Sequence, residues 1–202
     1  MGTRSLTVFR DYSDSKEFED ICAVYRQMDG YPTGMGNDLK EILRGHELVN
    51  GFGMGPRKKV QHNGMGCLAA YVIGLLKWNT WLPPRPGDVS SAPCGDVLKT
   101  GTPIGSVYLQ PVHPCMTKET FKVSDGSAYA NAEYAYVVYN KGDRICLKVF
   151  VVGWKETPTV PIYDGPIDKF NPKTIEKHQD KLVKDRLEAL KQEKSASVPA
   201  SV

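Results

Sequence analysis

Two long runs rich in β-branched and aromatic residues, SAYANAEYAYVVYN (residues 127–140) and RICLKVFVVGW (residues 144–154), are separated only by the turn NKGD (residues 140–143). That arrangement reads as a β-hairpin. Tyr134, Tyr136 and Val138 alternate with Ala135, Val137 and Tyr139, the period of two that gives a strand two faces.

Two further strands are expected at the start of the chain, LTVFRDY (residues 6–12) and ICAVYRQ (residues 21–27), paired as a hairpin across the polar stretch SDSKEFED. Asn37 is placed to cap a short helix, DLKEILRG (residues 38–45). Leu39, Ile42 and Leu43 form its apolar face, and Gly45 sits at its C′ position. Residues 46–66 read as a long Gly-rich loop, and CLAAYVIGLLKW (residues 67–78) as a helix apolar almost all round. Residues 78–103 read as a Pro-, Gly- and Ser-rich loop or insertion, and IGSVYLQPV (residues 104–112) as a strand. After HPCMTKETFKVSDG, expected to be irregular, come the two strong strands and a Pro-rich linker, residues 155–171. Asn171 and Pro172 then start a charged helix running to about Lys194, with a stripe of Ile175, Leu182, Leu187 and Leu190. The order predicts an α+β fold: an antiparallel sheet with two helices on one face and a C-terminal helical extension. It divides the chain into a core domain (1–154), the linker, and a helix with a frayed tail (172–202).

Composition narrows the function. The 202 residues carry a net charge of +3 and a sequence pI of about 8.5, below the strongly basic balance of an electrostatic nucleic-acid binder. The five cysteines include no CxxC, which predicts a reducing compartment, the cytoplasm, and no disulfide framework. The opening MGTRSLTVFRDY lacks the apolar run of a signal peptide, and CLAAYVIGLL has about half the length needed to cross a bilayer. His113, Cys115 and Cys94 do not have zinc-ligand spacing, and there is no GxSxG, so no metal, cofactor or catalytic group is expected.

Two stretches carry binding chemistry. In YRQMDGYPTGMGNDL, Arg26 suits an anion, Tyr31 suits stacking and Asp29 suits a hydroxyl or amine. The competing reading is a tight strand-to-helix corner in which Asp29 caps the turn and pairs with Arg26. In GFGMGPRKKVQHNGMG, Arg57, Lys58, Asn63, Gly64 and Gly66 precede a helix, whose free N–H groups suit a phosphate. The competing reading is a solvated basic loop.

VYRQMDGYPTGMGNDL (residues 24–39) and NGMGCLAAYVIGLLK (residues 63–77), followed by GSVYL and EYAYVVY, together resemble a family of small phage-associated proteins of largely unassigned function. The resemblance covers roughly residues 4–152. The element order is also similar to that of Thoeris-type anti-defence sponge proteins. That resemblance implies a viral, oligomeric protein that sequesters a small anionic nucleotide signal in the host cytoplasm without cleaving it; no membrane partner is expected, and a nucleic-acid-binding protein ranks third. Arg26, Tyr31, Arg57 and Asn63 are its first candidates by chemistry. A structural or assembly role for the C-terminal helix is the alternative.

Overall fold

The computed structural model describes residues 2–12, 17–51, 59–78, 107–112, 114–121, 132–153 and 158–196. Arg57, Lys58, Cys94, His113, residues 79–103, residues 127–131 of the expected strand and the 197–202 tail lie outside them. In chain order the strands are β1 (Ser5–Asp11), β2 (Glu19–Arg26), β3 (His46–Val49), β4 (Val60–Asn63), β5 (Val107–Gln110), β6 (Tyr134–Lys141), β7 (Arg144–Val151) and β8 (Val160–Pro166). The helices are α1 (Asn37–Leu43), α2 (Gly64–Trp78), the single turn α3 (Pro114–Thr117) and α4 (Pro172–Ala196).

The fold is α+β. Six strands form one sheet in the order β5-β2-β1-β6-β7-β8, and every neighbouring pair is antiparallel except β1 with β6. That parallel seam departs from the all-antiparallel sheet expected. It sets Ser5 opposite Tyr134 and Arg10 opposite Tyr139. Both seam strands are covered on both faces, which is why YAYVVY is apolar without interruption and LTVF is interrupted only by the buried Thr7.

One face carries Phe9, Val24, Tyr136, Val138, Leu147 and Val149, packed under α1 and α2. The other carries Leu6, Val8, Ala23, Val137 and Cys146, packed under Cys115, Met116 and Phe121 around α3. On α2 the buried residues are Met65, Leu68, Ala69 and Val72, while Cys67, Ala70, Tyr71 and Gly74 are exposed. The helix is therefore amphipathic, not buried all round.

Three local readings change. Asn37 is the first residue of α1 and not its cap; a π-helical turn, Pro32–Gly36, runs directly into the helix. The loop expected over residues 46–66 contains β3 and β4, a parallel pair with His46 opposite Val60 and Leu48 opposite His62. The expected linker contains β8, paired along β7 with Val160, Ile162 and Ile167 buried.

The C-terminal helix begins as expected, with Asn171 Oδ1 accepting the Thr174 N–H at 3.2 Å. Its first half docks on the same chain. Glu176 Oε2 accepts the Thr33 N–H at 2.8 Å, the Tyr134 hydroxyl donates to Gln179 Oε1 at 2.7 Å, and Ile175 and Val183 pack on the core. Leu182, part of the expected stripe, is 36% exposed. No described helix is long and apolar enough to cross a membrane.

Candidate ligand site

The corner after β2 is held together by its own side chains. Arg26 Nη1 pairs with Asp38, not Asp29, and its Nε donates to the Met28 carbonyl at 2.8 Å. The Tyr31 hydroxyl donates to Asp29 Oδ1 at 3.2 Å, and the charge on Asp29 is the first cause raising the phenol's pKa. Asp29 has φ of 55° and its carbonyl accepts the Met35 N–H at 2.8 Å. The buried Tyr136 hydroxyl donates to the Gly30 carbonyl at 2.8 Å. Arg26, Asp29 and Tyr31 thus lie together in a closed strand-to-helix turn, with Arg26 already neutralised.

Asn63, Gly64 and Gly66 lie elsewhere, at the start of α2. Asn63 Oδ1 accepts the Gly51 N–H at 2.9 Å, tying the chain just after β3 to the end of β4. Gly64 takes φ of 73°, a left-handed value that suits glycine where β4 turns into the helix. Among the described residues no hydrogen bond or ion pair joins this group to the corner.

Beside these three residues, His46 and His62 stack with ring centroids 5.0 Å apart, and Tyr71 of α2 lies against both rings. Both imidazoles are held below their ordinary pKa, His46 by burial, His62 by burial first and by His46 second. Cys67 and Tyr71 face the pair from α2, and Glu47, the β3 residue next to His46, pairs with Lys59 just before β4. A lowered folded-state pKa makes the unfolded chain the better proton binder. The stability this burial confers is therefore complete near neutrality and is lost as pH falls below the ordinary value of 6.5. Urea unfolding is expected to show a lower midpoint at about pH 5.5 than at about pH 7.5. A His46→Gln/His62→Gln double variant should lose that part of the difference; an unchanged slope would show that the pair is not responsible.

The cavity lies on the opposite face of the sheet from α1 and α2. On two of the strands beneath it a charge shares a face with apolar residues: Lys148 lines the cavity and Arg10 lies buried behind it. Arg10 follows Leu6 and Val8 on β1, and Lys148 lies between Cys146 and Phe150 on β7. Arg10 is 1% exposed. Its Nε and Nη2 grip Asp20 at 2.6 and 3.2 Å, Nη1 donates to Glu119 at 2.9 Å, and Nη2 donates to the Met116 carbonyl at 3.1 Å. The Phe18 ring stacks on the guanidinium, with Cζ 3.9 Å from its centroid. Burial, the largest single influence, would lower the pKa of Arg10; Asp20, Tyr12 and Glu119 together outweigh it, and the group stays charged.

Glu119 links this buried pair to the cavity. Its other oxygen accepts from Lys148 Nζ at 2.6 Å. Its backbone is left-handed, φ 54°, and so is that of Phe121, φ 52°. Non-glycine residues in that region are held there by their surroundings; for Glu119 these are Arg10 and Lys148, and for Phe121 the ring of Phe150 and the Cys115 carbonyl, which accepts its N–H at 3.0 Å.

Register sets Lys148 opposite Val137 on one side and Asp164 on the other. Asp164 accepts from the Tyr139 hydroxyl at 2.5 Å. Burial first, then Asp164, pushes the phenol far above its ordinary range, so it stays a donor. The resulting cavity has a volume of about 350 Å³, with Tyr12, Glu119, Tyr139, Lys141, Lys148 and Asp164 among its lining. None of these six was singled out from the sequence. The available signal was a charge at an inward position of an apolar strand, at Arg10 and Lys148.

The described residues contain no group of three or more His, Cys, Asp or Glu side chains placed to hold a metal ion. No protein-family model, curated protein or solved structure matches the chain, so its functional reading rests on the geometry above.

Proposed function

We propose that the protein is a binding protein that holds a small nucleotide-like anion, of the cyclic ADP-ribose or cyclic oligonucleotide kind, without cleaving it. The observation that carries this reading is the cavity of about 350 Å³ with two tyrosines, two lysines and two carboxylates on its walls. Its size falls within the usual range for small-molecule sites. The partly exposed Tyr12 ring offers a base a stacking surface, Lys141 suits a phosphate oxygen, and the lone pairs that Glu119 and Asp164 keep beyond their bonds to Lys148 and Tyr139 suit ribose hydroxyls. The cytoplasm supplies such ligands. Arg26 and Tyr31 are engaged in the corner, which moves the weight of the reading to this cavity; Asn63, Gly64 and Gly66 remain a second point for a phosphate.

The test is a thermal-shift screen against nucleotides, including cyclic ADP-ribose isomers and cyclic di- and trinucleotides, followed by chromatography of the released ligand. At about 100 times the dissociation constant a ligand stabilises by roughly 2.7 kcal/mol, a shift on the order of 5 °C or more for a chain of this size. Lys141→Ala, at an exposed position, is expected to abolish the shift and leave the unliganded melting temperature nearly unchanged; Tyr12→Ala should also abolish it but lower the unliganded melting temperature, since the ring packs on Phe18 and Tyr139. An altered ligand would mean catalysis.

An assembly role is the second reading. Val183 is the last described α4 residue packed on the core, and the helix runs to Ala196, about 20 Å further at 1.5 Å per residue. No shift across the panel, together with a concentration-dependent mass by light scattering, would move the conclusion there.

A further inference from the structure

Away from the cavity, three side chains stand in series. Cys67 Sγ lies 3.9 Å from His62 Nδ1, and His62 Nε2 lies 2.8 Å from His46 Nδ1. Cys67 is exposed, on the first turn of α2, and His62 is 4% exposed beneath it on β4. A nucleophile within reach of a base, with the base oriented by a third group, is the arrangement by which proteins activate a weak nucleophile.

We propose that Cys67 is a nucleophilic thiol, with His62 as its general base and His46 as the positioning residue for His62, and that it accepts an acyl group from an activated ester or thioester. For His62 Nδ1 to accept the thiol proton, Nε2 must carry the ring proton and donate it to His46 Nδ1. The 2.8 Å contact fits that tautomer. Burial under Tyr71 keeps His62 neutral at physiological pH, the form in which a base works.

The step is balanced without a further reactant. His62 takes the Sγ proton as sulfur bonds to the carbonyl carbon, leaving negative charge on the carbonyl oxygen. α2 begins at Gly64, three residues before Cys67, so the N–H groups of its first turn, which have no acceptor within the helix, and the positive end of its dipole favour that charge. The carbonyl re-forms, and the bond from carbon to the ester oxygen or thioester sulfur breaks. The leaving group takes the proton back from His62. Acyl-Cys67 and a free alcohol or thiol result.

None of these residues lines the cavity, so the ligand reading and this one fail or hold separately. The test is acylation of the full chain by 4-nitrophenyl acetate, followed by nitrophenol release and peptide mass spectrometry. One equivalent of nitrophenol is expected in a burst, with one acetyl group on Cys67 and none on Cys22, whose pKa burial raises. Cys67→Ser should abolish the burst. His62→Gln should slow it about 100-fold, the usual scale of general-base assistance. If His62→Gln does not fold, His46→Gln, at a half-buried position, decides: it should slow acylation and displace its pH profile. Acylation of His46→Gln at the wild-type rate with the wild-type pH profile would overturn the proposal, as would an acetyl group shared equally between Cys67 and Cys22.

Discussion

Replacing Arg10 by alanine is expected to cost about 3–5 kcal/mol of folding stability, the scale for removing one partner of a buried ion pair. The guanidinium is the only cation shown bonded to Asp20, whose side chain is 3% exposed, and it supplies one of the two ion pairs shown for Glu119. Without it, Asp20 keeps the Thr117 hydroxyl at 2.9 Å but no charge partner among the described residues, and Phe18 and Met116 lose, respectively, the surface and the donor they pack against. For a chain of this size the melting temperature should fall on the order of 10 °C. Arg10→Lys is no rescue, since one ammonium cannot grip Asp20 in two places and reach Glu119. Arg10→Met/Asp20→Leu should recover part of the loss by removing both charges. A calorimetric melt of Arg10→Ala within a degree or two of the wild type would show that the network does not hold this face together.

Gly34→Ala is expected to be the other severe change, about 3 kcal/mol or more, at the upper end of overpacking. A Cβ at position 34 would lie 2.2 Å from the Asp29 carbonyl oxygen and 3.0 Å from the carbon it is bonded to. That same oxygen accepts the Met35 N–H at 2.8 Å, so the turn cannot open without losing the bond. The contact is with backbone, and no side chain can rotate away. Gly66→Ala is the control. A Cβ there meets nothing within 4 Å, and the position is helical, so stability should be unchanged or rise by up to about 1 kcal/mol. Denaturant midpoints for the two variants test the argument together; equal effects would refute it.

The GYPTGMG stretch, chosen from the sequence as a possible site, thus has a structural explanation residue by residue. Gly30 sits against the backbone of Arg4, with 2.6 Å left for a Cβ, Gly34 against Asp29, and Gly36 against the ring of Phe170. Three glycines there answer three close approaches, two to backbone and one to an aromatic ring. Sequence periodicity could show that the chain turns there, and not what it turns against.

What was legible was local. The hairpin of β6 and β7, α1 with its Gly45 stop, the helix expected over residues 67–78, which begins one turn earlier at Gly64, and the Asn171–Pro172 start all follow from patterns a few residues long. β8 was not legible because VPIYDGP carries a proline at each end of its paired stretch, which suits a linker. An edge strand tolerates both, since β8 pairs only with β7. β3 and β4 are four residues each, too short for a period to show. The cavity was hidden for a different reason. Its walls come from β1's end, the turn after α3, and β6, β7 and β8, and only the register brings Lys148 beside Asp164.

The parallel seam has a consequence for the order of events in folding. β1 is made first, yet its partner β6 begins 129 residues later, from Ser5 to Tyr134. Before that partner emerges, a nascent chain has the β1–β2 hairpin with one long edge open, and the apolar row of Leu6 and Val8 without Val137 and Cys146 to cover it. The β6–β7–β8 meander forms quickly from near neighbours, but the two halves join only by closing that long loop, the slow step in sheets dominated by distant pairing. The rate-limiting barrier should therefore fall at the meeting of β1 with β6, and the unpaired edge of β1 is where this chain is most exposed to pairing with another copy before folding is complete.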